Sequence, residues 1–238
     1  IGQLAAEYET IAQAAQHDRW TTLLAAAGLN GEQVDAVLDS DAYPALSAEL
    51  RHAEANHHNL DILLPRLLAA RGLDDADDIA SVIHARLARA TTRPAGSGRT
   101  RKRPRLIAGL IPYADGPMAD DMRQALDERH QLIEARADAV LTGALTDKAP
   151  WTARLGAEPK DAKQRTAWRR AAVIVAAYRD RYQLTDDRTP LGPPPQSTRQ
   201  KIDRARARVA LDQAHAIASE ETQPEQNSPA TAWPARTL

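Results

Sequence analysis

Three stretches carry residue types that could do chemistry. His57-His58 is the only histidine doublet. A metal centre built on it needs a third ligand, and a strand-transfer site also needs a nucleophilic tyrosine. Neither stands nearby, and the doublet reads as an exposed loop pair. Asp74, Asp75, Asp77 and Asp78 could place two carboxylates on one helical face for a divalent cation. They directly precede the apolar set Ile79, Val82, Ile83 and Leu87, where acids offset the positive end of a helix. Gly96 to Thr100 has the glycines of a phosphate loop but neither its spacing nor its lysine, and no strand leads into it. Nucleophile-elbow and zincin patterns are missing too. No catalytic residue, metal ligand or cofactor is assigned.

A different chemistry is written at Arg99, Arg101, Lys102, Arg103 and Arg105, five cations in seven residues. Clustered guanidinium and ammonium groups on one segment suit a phosphodiester backbone, because each contact releases condensed counterions. A solvated linker extended by its own charge is the competing reading. A second basic edge, Lys201, Arg204 and Arg208, lies along the last helix, where charged faces are ordinary. These eight residues are the candidate nucleic-acid contacts.

The whole chain is not basic: 31 Lys and Arg balance 32 Asp and Glu in 238 residues. Any nucleic-acid contact is therefore local. Phe and Cys are absent, so apolar bulk comes from Ala, Leu, Ile and Val, which suits closely spaced helices. The missing cysteines fit a reducing, cytoplasmic setting. No signal-peptide core or long apolar run occurs, and a chain opening on Ile1 reads as part of something longer, with no membrane insertion.

The elements that must position these groups are helices. Leu4, Tyr8, Ile11 and Ala15 recur at helical spacing, and Asp18 is the expected cap of a second helix with Trp20 and Leu24. Asn30 with Gln33 makes a capping box, Pro44 starts a further helix, Asn59 caps the run to Ala70, and the aspartates before Ile79 open another. Pro94, Gly96, Ser97 and Gly98 then break the rhythm, predicting a mobile basic linker over 91–104. Leu106 to Ile111 reads as buried irregular chain or a short strand. A long helix follows Pro117 with its stripe at Met122, Leu126, Ile133, Ala137, Val140 and Ala144, widened by Leu132 and Leu141. Asp161 and Gln164 cap the most strongly patterned helix, whose face holds Trp168, Ala171, Ile174, Val175, Tyr178 and Tyr182. Ser197 and Gln200 cap a last helix expected to bury Ile202, Ala205, Val209 and Ala216. Trp20, Trp151 and Trp168 are expected core anchors, and Trp233 is expected to be exposed.

The resulting expectation is an all-α fold with two helical lobes joined by a basic linker. A first lobe spans 1–90, the linker 91–104, a second lobe 105–192, a final amphipathic helix 196–222, and a disordered tail 223–238.

Several stretches in this order carry a resemblance: Leu4 to Ile11, Ala48 to Ala55, Leu63 to Arg71, Pro104 to Ile111, Glu128 to Ala137, Pro150 to Gly156, and Trp168 to Arg181. Together they resemble the C-terminal region of the actinobacterial MobF-type conjugative relaxases, the TraA/TrwC-like relaxase-helicases, over residues 1 to about 215. In that family an N-terminal domain nicks plasmid DNA through a tyrosine beside a histidine-held metal, and a helicase unit follows. Neither active part maps here, so no catalytic residue carries over. The resemblance implies a non-enzymatic helical module trailing both enzymes. Its partners would be type IV secretion or coupling proteins, a second copy, or DNA. Two other readings stay open: a stand-alone DNA-binding helical module, and a helical scaffold unrelated to conjugation.

Overall fold

The computed structural model of the chain describes residues 1–70, 72–73, 76–96, 102–186 and 188–221. Among them the fold is all-α apart from one small hairpin. The helices are α1 (Gly2–Ala15), α2 (His17–Ala26), α3 (Gly31–Leu38), α4 (Tyr43–Ala55), α5 (Leu60–Ala69), α6 (Ile79–Ala90), α7 (Asp120–Thr146), α8 (Ala162–Arg181) and α9 (Thr198–Glu221), with a 3-10 helix at Pro150–Leu155. Strands β1 (Leu106–Ile107) and β2 (Ile111–Pro112) pair antiparallel, Ile107 opposite Ile111.

The helix starts follow local chemistry. In α3 the Gln33 N–H donates to Asn30 Oδ1 at 2.9 Å, and the Asn30 N–H donates back to Gln33 Oε1 at 3.1 Å. Asp78 accepts the amides of Ala80 and Ser81 at the head of α6, so it serves as a helix start. Asp161 and Ser197 cap α8 and α9 in the same way, accepting the amides of Gln164 and Gln200. Asp18 and Asn59 do not cap. α2 already begins at His17, and the Asn59 side chain makes no cap bond.

Two cores form. One is built by α2 to α6 around Trp20, Leu24, Leu46, Leu50, Leu64, Ile83 and Leu87. The other joins α1, the hairpin, α7, the 3-10 helix, α8 and α9 around Tyr8, Leu110, Ile133, Trp168, Val175 and Leu211. The cores therefore do not divide at the linker as a lobe over 1–90 requires. α1 belongs with the second half: Ala5, Tyr8 and Ala12 face that core, and Tyr8 Oη accepts the Ala114 amide at 2.8 Å. Burial pushes this phenol up to about 12, so it stays neutral and keeps its own proton.

One expected stripe lies on the wrong face. On α9, Ile202, Ala205, Val209 and Ala216 are exposed, and Ala207, Ala210, Leu211, Ala214 and Ala218 are buried. These small residues let α9 approach Ala171, Ala172, Val175 and Ala176 of α8 closely, so contact is decided by slimness rather than bulk. On α7 the expected stripe faces the core, with Leu126, Ile133, Ala137 and Leu141 buried, and Leu132 alone of the expected leucines is exposed. Trp20, Trp151 and Trp168 are core residues as expected, and Trp233 lies outside the described residues.

Two glycines fix close approaches. Gly109 turns the hairpin at φ +71°, where a Cβ would stand 2.5 Å from Ile174 of α8. Gly156 ends the 3-10 helix at φ +79°, and a Cβ there would stand 2.4 Å from Ala218 Cβ of α9.

Candidate nucleic-acid interface

The last turn of α4 leaves carbonyls that need donors from outside the helix. The chain entering and leaving the basic segment supplies them. The Ala95 amide donates to Asn56 O and the Arg105 amide to Ala55 O, both at 2.9 Å. The histidine doublet adds a second pair. His57 Nε2 lies 2.7 Å from Arg103 O and His58 Nε2 lies 2.9 Å from Arg93 O. A carbonyl only accepts, so each imidazole carries its proton on Nε2. His57 sits at φ +64°, a costly backbone for a non-glycine residue. Both described flanks of the linker, 91–96 and 102–104, are thus hydrogen-bonded to the end of α4 and the turn that follows it. The polar end of a helix, not composition, decides this.

Against this frame the eight candidate contacts separate. Arg99 and Arg101 lie outside the described residues, as do Asp74, Asp75 and most of the glycine-containing stretch at 97–101. Lys102 and Arg103 are exposed, and neither forms an ion pair among the described residues. Arg105 is half-committed: it pairs with Asp115, whose carboxyl is held below the usual range first by the Gly116 amide and then by Arg105. On α9, Lys201 and Arg208 are exposed, whereas Arg204 points to Leu191 O and Gly192 O at 3.4 Å. The Lys102 and Lys201 patches come from different elements, and among the described residues no hydrogen bond or ion pair joins them.

Sequence reasoning missed a polar seam between the two cores. Arg19 of α2 donates to Glu54 of α4 at 2.9 Å and to Asp115 O at 3.1 Å. Gln16, between α1 and α2, donates to Asp115 O at 2.9 Å and accepts from Arg51 Nε at 3.3 Å. Arg206 of α9 reaches Leu110 O at 3.2 Å and His52 Nε2 of α4 at 3.0 Å. Behind it, fully buried Asp203 accepts the Tyr182 hydroxyl at 2.7 Å, with Arg181 Nη1 at 3.4 Å and Arg206 Nη1 at 3.5 Å. Burial and then Asp203 drive the Tyr182 phenol up, out of the titratable range. Burial likewise pushes the Arg51 and Arg206 guanidinium groups down. The only advance signal was a polar rhythm on α9, Arg199, Asp203 and Arg206, spaced like a stripe.

These contacts join the two halves of the molecule into one packed body and leave the flanks of the linker fixed upon it. Among the described residues no group of three His, Asp or Glu could hold a metal ion, and no helix is long and apolar enough to cross a membrane. An open hollow of about 560 Å³ lies between α1, α7 and α8 beside Trp151 and Arg179. Arg179 is spent there on the carbonyls of Leu184, Asp186, Thr189 and Pro190, closing the loop after α8.

No protein-family model matches the chain, and neither does any curated protein or solved structure.

Proposed function

We propose that this chain is the non-catalytic helical accessory region of a MobF-type conjugative relaxase, working by contact with DNA phosphates and with the transfer machinery. The observation that carries the reading is the exposed Lys102 and Arg103, which form no ion pair among the described residues and lie on a segment whose described ends are tied to the end of α4. Four groups suited to acid–base work, Asp203, Glu49, Glu54 and His52, are committed to the seam. The ordered set of resembling stretches supports the relaxase setting, and Ala48 to Ala55, Pro104 to Ile111 and Trp168 to Arg181 contribute residues to that seam.

Binding without turnover is the signature of this function. The purified chain should bind a fluorescein-labelled single-stranded oligonucleotide with an affinity that falls steeply with salt. It should neither nick a transfer-origin oligonucleotide in the presence of Mg²⁺ or Mn²⁺ nor hydrolyse ATP. Metal-dependent nicking or ATP turnover by this chain would remove the reading. Lack of any binding at 50 mM salt would remove its DNA half.

A further inference from the structure

We propose that His57 and His58 form a clasp that presents Arg93, Lys102 and Arg103 to a nucleic-acid backbone, the two imidazoles acting as positioning residues rather than contacts. The inference deepens the DNA reading above and rests on it. Four hydrogen bonds bring the two ends of the basic segment to one place. Ala95 N–H and Arg105 N–H complete the carbonyls of Asn56 and Ala55, and the two Nε2–H groups reach the carbonyls of Arg93 and Arg103. Each histidine holds one side of the segment, His58 the entry and His57 the exit.

The clasp presents cations that meet no carboxylate among the described residues, as Lys201 and Arg208 also do not. Arg19, Arg105, Arg129, Arg136, Arg169, Arg181, Arg199 and Arg206 all meet carboxylates. Arg93, Lys102 and Arg103 are exposed and make no ion pair among the described residues. Cations held at fixed places on a tied backbone bind an anion without first ordering the chain that carries them. A phosphodiester backbone, with charges at regular short spacing, fits cations grouped at the two ends of one closed segment. His57 in its left-handed conformation bears a backbone cost that the Arg103 contact offsets.

The test compares H57A/H58A, H57Q/H58Q and K102A/R103A in the full chain. The readouts are amide exchange at Ala95 and Arg105 and anisotropy with fluorescein-labelled dT30 between 50 and 200 mM KCl. H57A/H58A should speed exchange at both amides and weaken binding about fivefold to tenfold, the scale of lost preorganisation. Its salt slope should match that of the wild type, because every cation remains. Glutamine keeps a donor near the Nε2 position, so H57Q/H58Q should restore most of the affinity. K102A/R103A should instead lower the slope by about 1.4, two single-strand phosphate contacts.

Unchanged affinity in H57A/H58A, or equal loss in the alanine and glutamine pairs, overturns the clasp. If H57A/H58A loses helical ellipticity, H57A and H58A singly carry the comparison, and wild-type affinity in both is the overturning result. If the wild type binds and K102A/R103A binds equally well, the clasp proposal falls and the DNA reading survives on α9. If the wild type does not bind, both fall.

Discussion

Arg206 Nη2 lies 3.0 Å from His52 Nε2, and this contact sets the protonation of the joint between the two cores. A guanidinium only donates, so His52 must accept on Nε2 and carry its proton on Nδ1. That Nδ1–H points at Glu49 Oε1, 3.2 Å away, which also receives the Thr91 hydroxyl at 2.8 Å. One relay therefore runs from α9 through α4 to the end of α6.

The relay makes stability depend on pH in a stated direction. Burial pushes the Glu49 carboxyl up, but the His52 and Thr91 donors outweigh it and hold the group below its usual value. A carboxylate depressed in the folded state stabilises fully above its unfolded pKa, about 4.3. That contribution is lost as pH falls through the folded value. Urea denaturation of wild type and E49Q should show the gap between them shrinking as pH drops from 6 to 3. A gap that stays constant or widens contradicts the relay.

Asp203 is the buried anion of the seam, shared by Arg206, the Tyr182 hydroxyl and Arg181, which also pairs with Glu9. D203A leaves Arg206 without a carboxylate and the Tyr182 hydroxyl without its acceptor, a loss of about 3–5 kcal/mol. Chemical denaturation measures it; a loss under about 1 kcal/mol, the scale of a surface pair, would show the site to be open to water.

Two glycine replacements should move stability in opposite directions. G156A combines a left-handed backbone with a 2.4 Å approach to Ala218 and should cost about 2–3 kcal/mol. G143A lies inside α7 with nothing within 4 Å of the new methyl, and should gain about 0.5–1 kcal/mol. Thermal melts of the pair check both signs.

The face of α9 gives a third contrast. V209E changes a residue that is 66% exposed and should shift stability by less than about 0.5 kcal/mol. L211A empties a buried position against α8 and should cost about 2–3 kcal/mol. A reversed order would return Val209 to the core.

The helices and most of their caps were legible because periodicity and capping act within a few residues. Asn30 with Gln33, Asp161 with Gln164 and Ser197 with Gln200 each form the cap their spacing announces. Which core a helix joins was not legible. α1 and α2 carry similar stripes, and it is the packing of Ala5, Tyr8 and Ala12 in the tertiary fold that assigns α1 to the second half. Alanine hid the face of α9, since it occurs all round that helix and says little about burial. The seam escaped because Arg51, Asp203 and Arg206 are ordinary surface types until a partner from a distant segment buries them. His57 and His58 were read as a loop pair; their partners Arg103 and Arg93 lie 46 and 35 residues away in the chain.

The salt dependence of binding to single-stranded DNA tests the central claim most directly. The account predicts that log affinity for a labelled dT30 falls linearly with log KCl in the wild type. The slope should be shallower in K102A/R103A and shallower again when K201A and R208A are added, with helical ellipticity unchanged throughout. A slope near zero in the wild type, or one that none of these four replacements alters, would contradict it.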